Sequence, residues 1–415
     1  MVAGRDRRAL TVSDELVVWF AGVPWDGIRG TDRHLATALA DHVEVLWIDP
    51  PISPATPRRR VDIGRTVRPR LSTVSSGVTR LIPVVLPGFT RPGVRLTTAP
   101  LLRAQLRWAL RQLDVRPRVV VATYLEDVLG RWGNDTINVL YGTDDYVAGA
   151  KLMGLSANRL RLQERWALDR ADAVLAVSPA LAERWRAFGA EPIVLPNGCD
   201  PDAYRGVDQP AAMLGIDLPP PVVGVVGQLS DRIEIGLLEA VADAGLSLLL
   251  VGPRDERWEP ERFAALTARR TVHHTGLVPS EKLPIYLAMI DVGLTPYADT
   301  PFNRASFPLK TLEYLAAGRP VVSTDLPASR WLLDNPGAHT GELSVASGPG
   351  DFVAAVSVAT AAGGTNELAA RCRALAARHS WQRRVEEFAA AVGLPAPSTS
   401  HALHAPAATH LKVQP

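Results

Sequence analysis

The chain of 415 residues is 47% hydrophobic and 21% charged, with a formal net charge of +2, and its length favours two domains of roughly 150–200 residues. Two cysteines, Cys199 and Cys372, exclude a disulfide framework and a zinc cluster and fit a reducing cytoplasm. No apolar run reaches the ~18 residues of a membrane span, and no nucleic-acid partner is expected.

The first predicted strand is "LVVWFAG" (16–22). Asp14 and Glu15 precede it where a signal peptide wants cations, so a strand is the better reading. The following loop, "GVPWDGIRGTDRH" (22–34), holds Trp25, Asp26 and Gly27, which either wall an acceptor site or turn the chain. A second strand, "VEVLWID" (43–49), leads into a basic stretch. Fourteen arginines and two aspartates lie between Arg58 and Arg118, a local balance of +12. Such a stretch is either a solvated surface or a contact for anionic lipid headgroups or a polyanionic acceptor. Within it, "LLRAQLRWALRQL" (101–113) puts Leu102, Leu106, Ala109 and Leu113 in a stripe beside Arg103, Arg107 and Arg111. That is the pattern of an interfacial helix and also of a core helix with a basic outer face.

Strands follow at "RVVVATY" (118–124), "TINVLYG" (136–142), "ADAVLAVS" (171–178) and "PIVLP" (192–196). The loop "GTDDY" (142–146) carries Asp144 and Asp145. This pair is readable as metal ligands, with Asp144 as a general base, or as a helix cap or arginine partner. The Pro-, Gly- and Asp-rich segment 197–221 divides the chain. Beyond it come "PVVGVVG" (221–227), "LSLLLVG" (246–252), "VHHTG" (272–276), "DVGLTPY" (291–297) and "RPVVST" (319–324). Apolar strands alternating with helical patterns mean parallel sheets. We therefore expect an α/β architecture of two doubly wound, Rossmann-like domains facing across a cleft, spanning 14–197 and 219–378. A helix over 379–393 and a tail over 394–415 complete the chain.

Ligands of open parallel sheets bind beyond the carboxyl ends of the strands. There "GQLSDR" (227–232) offers Gly227 for close backbone approach and Arg232 as a forked phosphate donor. "TGLVPSEKL" (275–283) follows a later strand. Most informative is "SFPLKTLEYLAAGRPVVSTDLP" (306–327). Lysine occurs only at 151, 282, 310 and 412, and one of these stands three residues ahead of Glu313. Pro308 suits a first helical turn, Leu309, Leu312, Leu315 and Ala316 form a buried face, and Gly318 and Pro320 end the helix. The macrodipole disfavours a cation at that end unless an anion shares the place. Lys310 and Glu313 are thus either a surface ion pair or a phosphate seat with a ribose acceptor behind it.

Together the stretches "WFAGVPWDG", "VLYGTDDY", "ADAVLAVSPAL", "LPNGCD", "VVGQLSDRIEIGLL", "TGLVPSEKLPIYLAMIDVGLTPY" and "PLKTLEYLAAGRPVV" resemble the GT-B glycosyltransferases of family 4. Within that family they are most similar to the teichuronic-acid-type branch of bacterial polysaccharide enzymes. The resemblance covers roughly residues 15–392. It implies a second domain that binds a UDP- or GDP-linked sugar, and a final helix that crosses back to the first domain. Glu313 would hold the ribose, Arg232 and Lys310 the diphosphate, and the backbone at Leu277 and Val278 the base, with Gly227, Gln228 and Thr311 beside them. It implies neither metal nor cofactor, a saccharide or glycolipid acceptor, and a cytoplasmic enzyme able to touch the inner face of an anionic membrane. Three positions depart from the family pattern: Ala305 stands where a glutamate touches the donor sugar, Pro308 replaces a glycine, and Cys199 replaces an aliphatic residue. Alternatives are a GT-B nucleotide-sugar epimerase, for which no acid/base set is visible in the first domain, and a non-catalytic binding member, for which Ala305 argues.

Overall fold

A computed structural model describes residues 15–27, 29–54, 68–89, 91, 93–204, 206–207, 215–334 and 341–396. Asp14, the arginines at 58–65 and the tail from residue 397 onward lie outside them. Among the described residues the first sheet has eight strands. These are β1 (Leu16–Phe20), β2 (Glu44–Ile48), β3 (Arg70–Ser75), β4 (Val78–Ile82), β5 (Pro117–Ala122), β6 (Ile137–Gly142), β7 (Ala173–Ala176) and β8 (Ile193–Val194). Their spatial order is β3-β4-β2-β1-β5-β6-β7-β8. The second sheet contains β9 (Val222–Val226), β10 (Ser247–Val251), β11 (Val272–His274), β12 (Val292–Thr295), β13 (Val321–Thr324) and β14 (Leu343–Ala346), in the order β11-β10-β9-β12-β13-β14. All pairings are parallel except β3 with β4. The central strands β1 and β9 are buried along their whole length because helices cover both faces, so their sequences are continuous apolar runs rather than alternations.

Three strands were not expected from the sequence: β3, β4 and β14. The β3–β4 hairpin carries Arg80 mid-strand, buried and ion-paired to Asp49 at 2.7 Å and Asp26 at 2.6 Å. Asp49 also accepts from the Trp47 indole and the Trp25 N–H, each at 3.0 Å. A buried cation is tolerated only with this degree of pairing.

The helix Thr98–Leu113 lays most of its apolar stripe on the core. Leu102, Leu106 and Ala109 are fully buried in the core and Leu113 is half-buried, as in the core-helix reading of that stripe. No helix of the described residues is long and apolar enough to cross a membrane. The helix around Lys310 runs Leu309–Ala316, with Pro308 one residue outside it as an extended cap rather than in its first turn. Cys199 is buried as a small apolar residue, its thiol 3.3 Å from the Ala376 carbonyl.

The two sheets meet along a bonded seam. The Thr31 hydroxyl donates to the Asn197 side-chain oxygen at 2.5 Å, and the Asn197 amide donates to the Phe307 carbonyl at 2.6 Å. Ser178 donates to the Ala305 carbonyl at 2.5 Å. Helix Trp381–Ala391 follows the second sheet in sequence yet packs on the first: Phe388 lies 5.9 Å from Trp19 of β1, and Trp381 stacks on His34 at 5.2 Å.

Candidate active site in the interdomain cleft

The second-domain wall begins where β9 ends. Gly227 has φ +141°, and a Cβ on neighbouring Gly252 would fall 2.1 Å from its carbonyl oxygen, so only glycines allow these two loops to cross. A Cβ on Gly227 itself would meet the Lys310 stem at 3.8 Å, which places Lys310 against that loop. The Lys310 ammonium lies 2.5 Å from the Glu313 carboxylate, and the Tyr204 hydroxyl hydrogen-bonds the same carboxylate. Burial and that acidic neighbour push the Tyr204 hydroxyl pKa well up. No side chain caps the helix start, so its first N–H groups are free to meet a ligand.

Arg232 sits on the same wall. Its Nε donates to the Asn303 side-chain oxygen at 3.0 Å, and its guanidinium lies 5.2 Å from the Tyr297 ring centre and 5.0 Å from that of Phe302. Asn303 in turn donates to the carbonyls of Arg232 and Ala298, so the clamp is itself fixed. A small recess joins Arg232, Tyr297 and Asn303 to Ser306 and Pro308 at the foot of the Lys310 helix. Gln228 and Leu277 are exposed on the rim and Val278 is half-buried. Thr311 lies one residue beyond Lys310 on the helix. Its side chain is fully buried with an unpartnered hydroxyl, leaving only its backbone N–H for a donor.

The facing wall comes from the first domain. Burial raises the Asp144 pKa to about 6; Arg232, across the cleft, opposes that rise, while Asp32 and Asp145 add to it. Asp145 points elsewhere, ion-paired to Arg184 at 2.9 Å and accepting the Ala148 N–H at 2.9 Å. The adjacent carboxylates therefore do not converge, and among the described residues no three His, Cys, Asp or Glu side chains gather as a metal group would. The segment at 25–27 is a turn, with Gly27 N–H donating to the Pro24 carbonyl at 2.9 Å. Trp25 is buried, edge-on to Trp47 and under the Arg33 guanidinium, so its ring faces the core; Asp26 is engaged by Arg80.

Asp32, which sequence reasoning passed over, opens the helix Thr31–Leu39. Its Oδ2 accepts from the Gly22 N–H at 3.0 Å and the Thr123 hydroxyl at 2.8 Å, while its Oδ1 is buried with no partner. Burial pushes its pKa up to about 6. It ties β1 to β5, the neighbours at which the strand order reverses, the switch point where doubly wound sheets bind ligands. His34, on the same helix, faces Glu313 and Lys310, with burial as the main cause of its lowered pKa.

Two family descriptions match the halves of this architecture. "Glycosyltransferase Family 4" matches residues 33–203, and "Glycosyl transferases group 1" matches residues 220–362. The chain is a family 4-like GT-B glycosyltransferase. This glycosyltransferase is 34% identical over 136 residues to TuaH of Bacillus subtilis, whose name ascribes it to teichuronic acid biosynthesis. That match spans about a third of each protein, 32% of this chain and 33% of TuaH. Among solved structures it is similar to sucrose-phosphate synthase from Thermosynechococcus elongatus, with TM-score 0.65 and 18% identity over 91% of this chain and 98% of that one. Anabaena HepE in complex with UDP and glucose gives TM-score 0.62 and 18% identity over 91% and 99%. Ala305 of the glycosyltransferase is buried with its carbonyl bonded to Ser178, so at this position neither side chain nor backbone oxygen is free for a sugar.

Proposed function

We propose that the enzyme transfers a glycosyl group from a UDP- or GDP-linked sugar to a cell-envelope saccharide or glycolipid. The observation that carries this reading is the uncapped helix start bearing Lys310 and Glu313, set against the glycine crossing at Gly227. A diphosphate on that helix start would meet free N–H groups and an ammonium, with the ribose diol one turn deeper at Glu313. The UDP held by HepE supports a uridine nucleotide, and the local likeness to TuaH supports an envelope polysaccharide.

Charge developing on the leaving diphosphate is met by Lys310, Arg232 and the helix dipole, pre-set in a partly dry cleft where such donors count most. Asp144 faces Arg232 across the cleft and is the carboxylate available on the acceptor side. Donor-sugar contacts that a glutamate at Ala305 would supply fall instead to other groups on this wall, Arg232 among them. Incubating the enzyme with UDP- and GDP-sugars plus saccharide acceptors should release nucleoside diphosphate only when the matched pair is present. Release from no donor, with nucleoside diphosphate binding intact, would favour the non-catalytic alternative.

A further inference from the structure

The first domain has a second concave site, at the opposite end of its sheet from the cleft. It forms at the amino ends of β5 and β6, between the end of helix Thr98–Leu113, the turn at 114–116 and the loop at 131–136, and encloses about 560 Å³. Arg107, Arg111, Arg116 and Arg131 line it, against the carboxylates of Asp114 and Asp135. Arg131 is ion-paired to Asp127 at 3.3 Å. Arg107 lies over the Trp132 indole at 5.4 Å, and that indole is fixed by donating to the Val128 carbonyl at 2.7 Å. Arg111 and Arg116 make no ion pair with any described residue.

We propose that this groove binds an oxyanion-bearing saccharide, a sugar substituted with carboxylate or phosphate, as a remote grip on the acceptor chain. The inference rests on the saccharide-acceptor reading above and extends it. Guanidinium forks match the two oxygens of a carboxylate or phosphate, and the pinned indole holds the Arg107 guanidinium at the groove wall. A bilayer would instead call for a flat or convex basic face with apolar side chains to insert, whereas this face is concave and Leu102, Leu106 and Ala109 of the helix are buried in the core. The six residues of β5 separate groove from cleft by about 20 Å, so one acceptor reaching both must be several sugars long. Two-point attachment would then raise its residence on the enzyme.

Calorimetric titration with oligogalacturonate and with an uncharged dextrin of equal length tests the groove. Wild type should bind the acidic oligomer, more weakly as salt rises, and bind the dextrin about tenfold less tightly or worse. The triple variant Arg107→Gln, Arg111→Gln, Arg116→Gln should lose about tenfold of the acidic binding and keep wild-type affinity for nucleoside diphosphate. Equal oligogalacturonate affinity in wild type and variant overturns the proposal. So does capture by phosphatidylglycerol vesicles, over phosphatidylcholine ones, without binding of the soluble oligomer. A wild type that binds oligogalacturonate but no nucleoside diphosphate leaves the groove standing and removes the donor reading instead.

Discussion

The Lys310 ammonium lies 2.5 Å from the Glu313 carboxylate, one turn along the same helix face. Both side chains are mostly shielded, at 24% and 18% exposure, and the Tyr204 hydroxyl shares the carboxylate. A diphosphate competes for the lysine and a ribose diol for the glutamate. Lys310→Ala should therefore weaken nucleoside diphosphate binding by about tenfold to a hundredfold while leaving the bare nucleoside nearly unchanged. Glu313→Ala should weaken both, because the ribose is common to them. Calorimetry on the pair of ligands decides it: equal losses from Lys310→Ala remove the phosphate assignment.

Arg232 depends on Asn303. The asparagine is buried and bonds both Nε and the carbonyl of Arg232. Asn303→Ala leaves those groups unpaired, at a cost of about 2 kcal/mol, and frees the guanidinium between Tyr297 and Phe302. Nucleoside diphosphate affinity should fall several-fold beyond any change in nucleoside affinity. A lower melting temperature with unchanged diphosphate affinity would make Arg232 a structural residue only.

The seam predicts how the halves communicate. Asn197 joins Thr31 of the first domain to the Phe307 carbonyl of the second, at 2.5 and 2.6 Å. Removing it with Asn197→Ala should cost about 2 kcal/mol and loosen the coupling between domains. Urea unfolding followed by two probes, one reporting each domain, should then give separated midpoints. Coincident midpoints at unchanged stability would show that the remaining contacts hold the domains by themselves.

Much of the fold was written locally. β1 and β9 are continuous apolar runs because both faces are covered, and such runs are visible without partners. β4 was hidden by Arg80, whose burial makes sense only beside Asp49, 31 residues away. The site divides the same way. Lys310 and Glu313 announce themselves by spacing on one helix, whereas Asp32 acquires meaning from Thr123, 91 residues distant. Of the two readings open for Trp25, composition alone could not choose, because its place against Trp47 is set by a strand 22 residues further on.

Asp145 is committed to Arg184, and among the described residues no three His, Cys, Asp or Glu side chains gather around Asp144 as metal ligands would. Turnover should accordingly persist in excess chelator. Activity abolished by chelation and restored by magnesium or manganese would reassign Asp144 as a ligand.

The last prediction concerns Asp32 and pH. Its folded pKa of about 6 lies above the ordinary value of 3.8, because burial disfavours the ionised form. Below pH 4 the carboxyl is neutral in both folded and unfolded chains and costs nothing. Between about pH 4 and 6 the unfolded chain ionises first, so stability falls as pH rises, and above 6 the penalty is constant. Two pH units correspond to about 3 kcal/mol, an upper figure. Both hydrogen bonds to this carboxyl fall on Oδ2, and Oδ1 is the unpartnered atom. In an Asp32→Asn variant the amide oxygen can keep both bonds while the amide nitrogen takes the place of Oδ1. The variant should match wild type near pH 4 and exceed it by up to about 3 kcal/mol at pH 7.5 in urea unfolding. A stability difference that is the same at both pH values would show that Asp32 does not carry the burial penalty its surroundings imply.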